Sequence, residues 1–109
     1  MKIATWNVNS LKVRLPHVLD WLAANQPDAL CLQELKCENK AFPLAEIEAA
    51  GYQAVFSGQK TYNGVAILSK KPLVDVSHDI PGFADEQKRI IAGTLDEVRI
   101  VCGYFPNGQ

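Results

Sequence analysis

No excess of charge of either sign marks this sequence. Eleven Lys and Arg stand against twelve Asp and Glu, a formal net charge of −1 over 109 residues. A global basic field that would attract a polyanion is therefore excluded. Any such binding must come from a local cluster of Lys and Arg, or from a metal. Cysteine is scarce and odd in number, at Cys31, Cys37 and Cys102, with no C-x-x-C pair. That argues against a disulfide framework and against a structural zinc site. Cys31 and Cys102 sit inside apolar runs, where a thiol behaves as a small hydrophobe. No apolar run is long enough for a signal peptide or a membrane span, so a cytoplasmic protein with no membrane partner is expected. A Gly-rich phosphate loop, a Ser/His/Asp set and a Cys/His set are all missing. Repeats, low-complexity segments and linkers are missing too.

What is present is a chain that can pack. Hydrophobic residues make up 48%, enough for the core of one small domain and inconsistent with disorder. Residues 2–8 read as a strand, rich in β-branched and aromatic types. Asn9 and Ser10 offer a turn or a helix N-cap. Leu15, Val18, Leu19 and Leu22 fall at helical spacing, with Pro16 expected in the first turn and Asn25 and Pro27 as the stop. Ala29–Leu32 is an almost wholly apolar run, as expected of a strand buried on both faces. Pro43 to Ala50 reads as a short helix closed by Gly51. Further strands are expected at 52–56, 64–68 and 73–77, then a hairpin of 90–95 and 98–104 around Asp96-Glu97. An acidic loop at 79–88 precedes that hairpin. The order, β-α-β-α followed by strands, implies an α/β or α+β sheet layered with helices. Seven strands have few helices to cover them, so one apolar sheet face needs another layer and the domain reads as incomplete.

The chemistry-bearing candidates lie at strand ends. Glu34 directly follows the apolar run and points to the crevice where open sheets bind ligands. Position alone would make it a solvated carboxylate. Asn7 ends the first strand. If the first two strands are parallel through a helical crossover, Asn7 and Glu34 share one crevice. An amide and a carboxylate together suit a hard cation such as Mg²⁺, which takes few protein ligands and keeps its waters. Tyr104 and Asn107 close the last strand and are of the types that hydrogen-bond phosphate oxygens. Lys12, Arg14, Lys36, Lys60 and Arg89 lie in or beside loops and make a candidate phosphate track. Each alone is better read as a solvated charge. His17 reads as an early-helix surface residue and His78 as a strand-end residue, neither with a partner visible in sequence.

Five segments then occur in order: Thr5-Trp6-Asn7-Val8-Asn9-Ser10, Leu32-Gln33-Glu34-Leu35-Lys36, Gly58-Gln59-Lys60-Thr61-Tyr62-Asn63-Gly64-Val65-Ala66, Gln87-Lys88-Arg89-Ile90-Ile91 and Gly103-Tyr104-Phe105-Pro106-Asn107-Gly108. Together they resemble the exonuclease III / apurinic–apyrimidinic endonuclease family, and bacterial members most of all. The resemblance implies a four-layered α/β sandwich, of which residues 1–109 would form the amino-terminal part of a single domain. It implies hydrolysis of DNA phosphodiesters with Mg²⁺ or Mn²⁺. The activities implied are incision 5′ of abasic sites, 3′→5′ exonuclease action and clearing of blocked 3′ ends. Double-stranded DNA is the implied partner, and the full-length protein a monomer. By position, Glu34 matches the metal-ligand glutamate, and Asn7 the asparagine supporting the metal and an active-site acid. Tyr104 matches the tyrosine at the scissile phosphate, and Asn107 a phosphate-binding asparagine. Tyr62 and Asn63 belong to the loop touching DNA beside the lesion. Lys12 and Lys36 fall near the backbone or the metal carboxylate. Asn9 replaces an aspartate of animal relatives, so no metal role is assigned to it. The family's Asp-x-Asn pair, loop Asp and terminal Asp-His pair have no counterpart in these residues, so the 109-residue chain alone is expected to lack turnover. The alternatives are a non-catalytic metal- or DNA-binding piece, or a phosphodiesterase of another substrate.

Overall fold

The computed structural model describes residues 1–58, 63–78 and 90–104. The first sheet contains β1 (Ile3–Asn7), β2 (Ala29–Gln33), β3 (Gln53–Ser57) and β4 (Val65–Ser69), in the spatial order β1-β2-β4-β3. The second contains β5 (Val74–Ser77), β6 (Ile90–Leu95) and β7 (Val98–Gly103), in that order. Helix α1 (Leu11–Asn25) carries the chain from β1 to β2, and α2 (Leu44–Ala49) precedes β3. A 3₁₀ turn, Asn39–Ala41, forms between β2 and α2.

The two central strands explain the layering. Every residue of β2 and β4 is buried, because both faces of this sheet are covered. Alternate side chains then divide between two cores. Leu30, Leu32, Ala66 and Leu68 join Val18, Leu22 and Ile47 from the helices. Ala29, Cys31, Val65 and Ile67 meet Ile91, Leu95, Ile100 and Cys102 of the second sheet. Three layers result, helices on sheet on sheet, which is the expected α/β arrangement. On the far face of the second sheet Val74 and Val101 stay 56% and 62% exposed, the uncovered apolar surface that the strand count anticipates.

β1 and β2 pair in parallel, with Asn7 opposite Gln33, whereas β4 runs antiparallel to both β2 and β3. The carboxyl ends of β1, β2 and β3 therefore lie together with the start of β4. The helix that joins β1 to β2 starts earlier than its apolar spacing suggests. Leu11 is already helical and fully buried, so Pro16 falls in the second turn rather than the first and leaves the Lys12 carbonyl without its helical donor. Ser10 occupies the N-cap position but makes no side-chain cap. Its N–H instead donates to the Glu34 carbonyl at 2.9 Å.

The hairpin between β6 and β7 turns on Asp96 and Glu97, with φ of 46° and 70°. Positive φ at both turn positions suits the strand twist but penalises side chains other than Asn, Asp or Gly. Glu97→Gly is expected to stabilise the protein by about 1 kcal/mol. A urea denaturation midpoint equal to or below that of the parent would contradict the turn assignment.

Candidate metal centre

Backbone pairing continues past the ends of the parallel strands and builds the site. Val8 N–H donates to the Gln33 carbonyl at 3.0 Å and Leu11 N–H to that of Leu35 at 3.0 Å. On the other side, Leu35 and Lys36 N–H groups donate to the Gly64 and Asn63 carbonyls at 3.2 and 3.1 Å. The 34–36 segment is thus held between two neighbours rather than left as a loop. Both held residues that face the crevice, Glu34 (φ 55°) and Lys36 (φ 54°), have positive φ, as do Asn9 (φ 46°), Ser10 (φ 90°) and Asn63 (φ 53°). Such conformations cost free energy and persist where surrounding structure enforces them, commonly at functional sites.

The side chains converge on one carboxylate. Asn7 Nδ2 donates to Glu34 Oε1 at 3.0 Å, while Asn7 Oδ1 accepts the Asn9 backbone N–H at 3.1 Å. Lys36 Nζ donates to Asn9 Oδ1 at 2.5 Å and lies 3.6 Å from Glu34 Oε2. The Tyr104 hydroxyl hydrogen-bonds to Glu34 from the end of β7. One residue of the second sheet therefore completes a cluster otherwise built on the first. The Asn7 amide, then the Tyr104 hydroxyl and the Lys36 charge, hold the Glu34 carboxyl below its ordinary range, against the opposing effect of burial. The same contact raises the Tyr104 phenol, because the carboxylate accepts its proton in a hydrogen bond and disfavours its loss.

The sign for stability follows from the lowered carboxyl. A folded-state value below the unfolded one stabilises the fold above the unfolded value, and that contribution is lost as pH falls through the folded one. Asn7 is the largest cause of the shift. Asn7→Ala should therefore move the Glu34 titration midpoint upward, read by carboxyl carbon NMR. An unmoved midpoint would remove Asn7 from the cluster.

Lys12, Lys36 and Lys40 border a cavity of about 340 Å³ beside the cluster, together with Cys37, Glu38 and Ala41. Lys40 there pairs with Glu38 at 3.5 Å. The structure thus brings Asn7, Lys36 and Tyr104 each onto Glu34, with Lys12 beside Lys36 at the adjoining cavity and Asn63 fixed through its carbonyl. Tyr62, Arg89, Asn107 and Lys60 lie outside the described residues, as does the 79–88 loop. Among the described residues no group of three His, Cys, Asp or Glu side chains gathers around a common point. The donor set for a cation is one ionised carboxylate with neighbouring amide oxygens, and this chemistry fits a hard divalent ion that retains water.

Gln33 and Asn39 escaped the sequence reading as candidates, and His78 has a partner that the reading did not show. Gln33 is buried under the site and donates to Thr5 Oγ1 at 2.8 Å. Its signal was legible, since it is the polar member of a strand otherwise apolar on both faces. Asn39 Oδ1 accepts the Gly58 N–H at 2.6 Å, and His78 Nδ1 lies 2.5 Å from Ser57 Oγ. Both contacts join segments distant in the chain, which no local pattern announces.

The sequence profile of the endonuclease/exonuclease/phosphatase family matches residues 4–106. The chain belongs to that family. Its fold agrees with solved family structures: a 3′–5′ exonuclease from Neisseria meningitidis superposes with a TM-score of 0.95 at 52% identity, over 99% of this chain and 43% of that one. An AP endonuclease from Archaeoglobus fulgidus gives 0.94 at 44% identity, over 99% and 42%. Exodeoxyribonuclease III of Haemophilus influenzae is 37% identical over 115 residues, which cover 100% of this chain and 43% of the relative. The chain thus spans less than half the length of these family members. Among the described residues no helix is long and apolar enough to cross a membrane.

Proposed function

We propose that this chain supplies the metal-carboxylate part of a DNA repair nuclease, one that hydrolyses phosphodiesters at abasic sites and 3′ ends of double-stranded DNA. The observation that carries the reading is the Glu34 cluster. A single carboxylate is kept ionised by Asn7, Tyr104 and Lys36, on a strained segment clamped from both sides. The relatives named as exodeoxyribonuclease III, 3′–5′ exonuclease and AP endonuclease support the choice of DNA as substrate.

Glu34 is the residue that would hold Mg²⁺ or Mn²⁺, and such an ion supplies positive charge to the phosphate and the leaving oxygen. Asn7 is best read as a positioning residue. Its NH₂ is spent on Glu34 and its oxygen on Asn9, so it sets the carboxylate's orientation rather than binding the ion first. Tyr104 presents its proton to the same crevice, where a phosphate oxygen would compete with Glu34 for it. Lys12 and Lys36 offer the adjacent positive charge that a DNA backbone requires. Asn63, with Tyr62, Arg89 and Asn107, completes the proposed DNA contacts.

A chimera tests the reading. Residues 1–109 would replace the matching segment of the Neisseria meningitidis 3′–5′ exonuclease, and cleavage of an abasic-site duplex and of a duplex 3′ end would be followed with and without Mg²⁺. Metal-dependent cleavage is expected. A folded chimera inert on both substrates would refute the proposal. The 109-residue protein alone is expected to show no turnover, and cleavage by it that Glu34→Ala abolishes would overturn that expectation.

A further inference from the structure

Cys31 and Cys102 are 71 positions apart in the chain and meet in the layer between the two sheets. Cys31 points from β2 toward the second sheet, and Cys102 points from β7 toward the first, in one buried cluster. Both line the same groove, and Cys102 Sγ reaches the carbonyl of Leu32, the residue after Cys31. Cys102 is set in polar contacts: Sγ donates to that carbonyl at 3.3 Å and accepts from Gln33 Nε2 at 3.4 Å. Gln33 is itself anchored on Thr5, so its N–H stays directed at the sulfur.

The two sulfurs are consequently unequal. The Cys31 thiol, the largest influence, outweighs burial and with donation from Gln33 draws the Cys102 thiol below its ordinary range. Cys31 itself is pushed up. One sulfur is disposed to ionise while its neighbour keeps the proton, the asymmetry that dithiol oxidation uses. Both residues border a groove of about 450 Å³ between β1 and β7, wide enough for a small oxidant. Cys37, by contrast, is buried away from the pair and its thiol is raised, chiefly by desolvation.

We propose that Cys31 and Cys102 are a redox modification site that closes into a reversible disulfide between the sheets when the protein meets a hydroperoxide. Cys102 thiolate attacks one peroxide oxygen, breaking the O–O bond and leaving a sulfenic acid with release of hydroxide. Cys31, its proton passed to that hydroxide, attacks the sulfenic sulfur and expels the second oxygen as water once protonated. Two thiols and one hydrogen peroxide thus give one disulfide and two waters. A dithiol reductant reverses the bond by exchange. The new link would tie β2 three residues before Glu34 to β7 two residues before Tyr104.

The test is mass mapping of the purified protein after hydrogen peroxide and alkylation under non-reducing conditions. Each cysteine falls in its own tryptic peptide: residues 15–36, residues 37–40, and the peptide beginning at Ile100. The expected product has lost two hydrogen atoms, links the first peptide to the third, leaves Cys37 alkylated, and reverts with dithiothreitol. Cys37→Ala should give the same cross-link, and unfolding in urea should slow its formation. Alkylation of both Cys31 and Cys102 after peroxide would overturn the proposal. So would sulfinic acid on Cys102 without a cross-link, a cross-link through Cys37, or equal rates in the folded and unfolded protein.

Discussion

Glu34→Gln is expected to lower metal-dependent cleavage by the chimera about 10²- to 10³-fold, the typical loss when one electrostatic group is removed from such a site. The replacement is nearly isosteric. Gln can still accept from Asn7 and still fits the clamped segment, so the fold should survive while the charge is lost. Glu34 is the one acidic group of the described cluster, and no neighbouring carboxylate there can take its place. Single-turnover incision of an abasic-site duplex at saturating Mg²⁺ measures the effect. A chelator should reproduce it in the unsubstituted chimera. If the Gln variant kept its rate within about threefold, a loss well below what one such group is worth, the carboxylate would have to be structural. The reading of the crevice as a metal centre would then fall.

The second large effect concerns the wall of that crevice. Gly64 has a φ of 90°, and a Cβ placed there would come within 2.9 Å of Leu35 Cβ. Leu35 is fully buried and cannot swing aside without disturbing the core that Leu32 and Ala66 share with it. Gly64→Ala therefore combines left-handed strain, about 1–2 kcal/mol, with an overpacking cost of about 1–3 kcal/mol. The expected loss is about 3 kcal/mol, a drop in Tm of roughly 10–20 °C for a domain of this size. Gly51→Ala separates the two contributions. Gly51 has a φ of 91° but nothing within 4 Å of the added methyl, so only the strain applies. Equal losses at the two positions would show that the Leu35 contact is not the cause. Leu35 is also the residue after Glu34, so the Gly64 variant is expected to weaken metal response as well as stability.

Local patterns in the chain were enough for much of this. Among the described residues, the seven strands and two α-helices lie near where alternation and helical spacing place them, because side-chain periodicity is a property of consecutive residues. The Asp96-Glu97 turn was legible because two strand-like runs flank two polar residues. Pro16 was misplaced for a physical reason: Leu11 follows the turn residues Asn9 and Ser10 directly, and its place on the helical face shows only through its burial against other elements. The Glu34–Asn7 pairing followed from a parallel crossover, a rule about topology rather than about contacts. The placing of Lys36 near the DNA backbone or the metal carboxylate, and of Tyr104 at the scissile phosphate, rested on family resemblance, and the contact of Tyr104 with Glu34 was not foreseen.

The sequence by itself determined the elements, the double-sided burial of β2 and the family, and it pointed to Glu34 as the candidate metal ligand; the equal burial of β4 emerged only with the second sheet in place. Tertiary structure alone decided that Tyr104 crosses from the second sheet to Glu34 and that Glu34 and Lys36 are held at positive φ. It also decided that Gln33, Cys31 and Cys102 meet beneath them. The reason is the range of the forces involved. Strand and helix formation is set by neighbours along the chain, whereas these contacts join β2 to β7 across some 70 positions. They exist only once both sheets have buried their shared face.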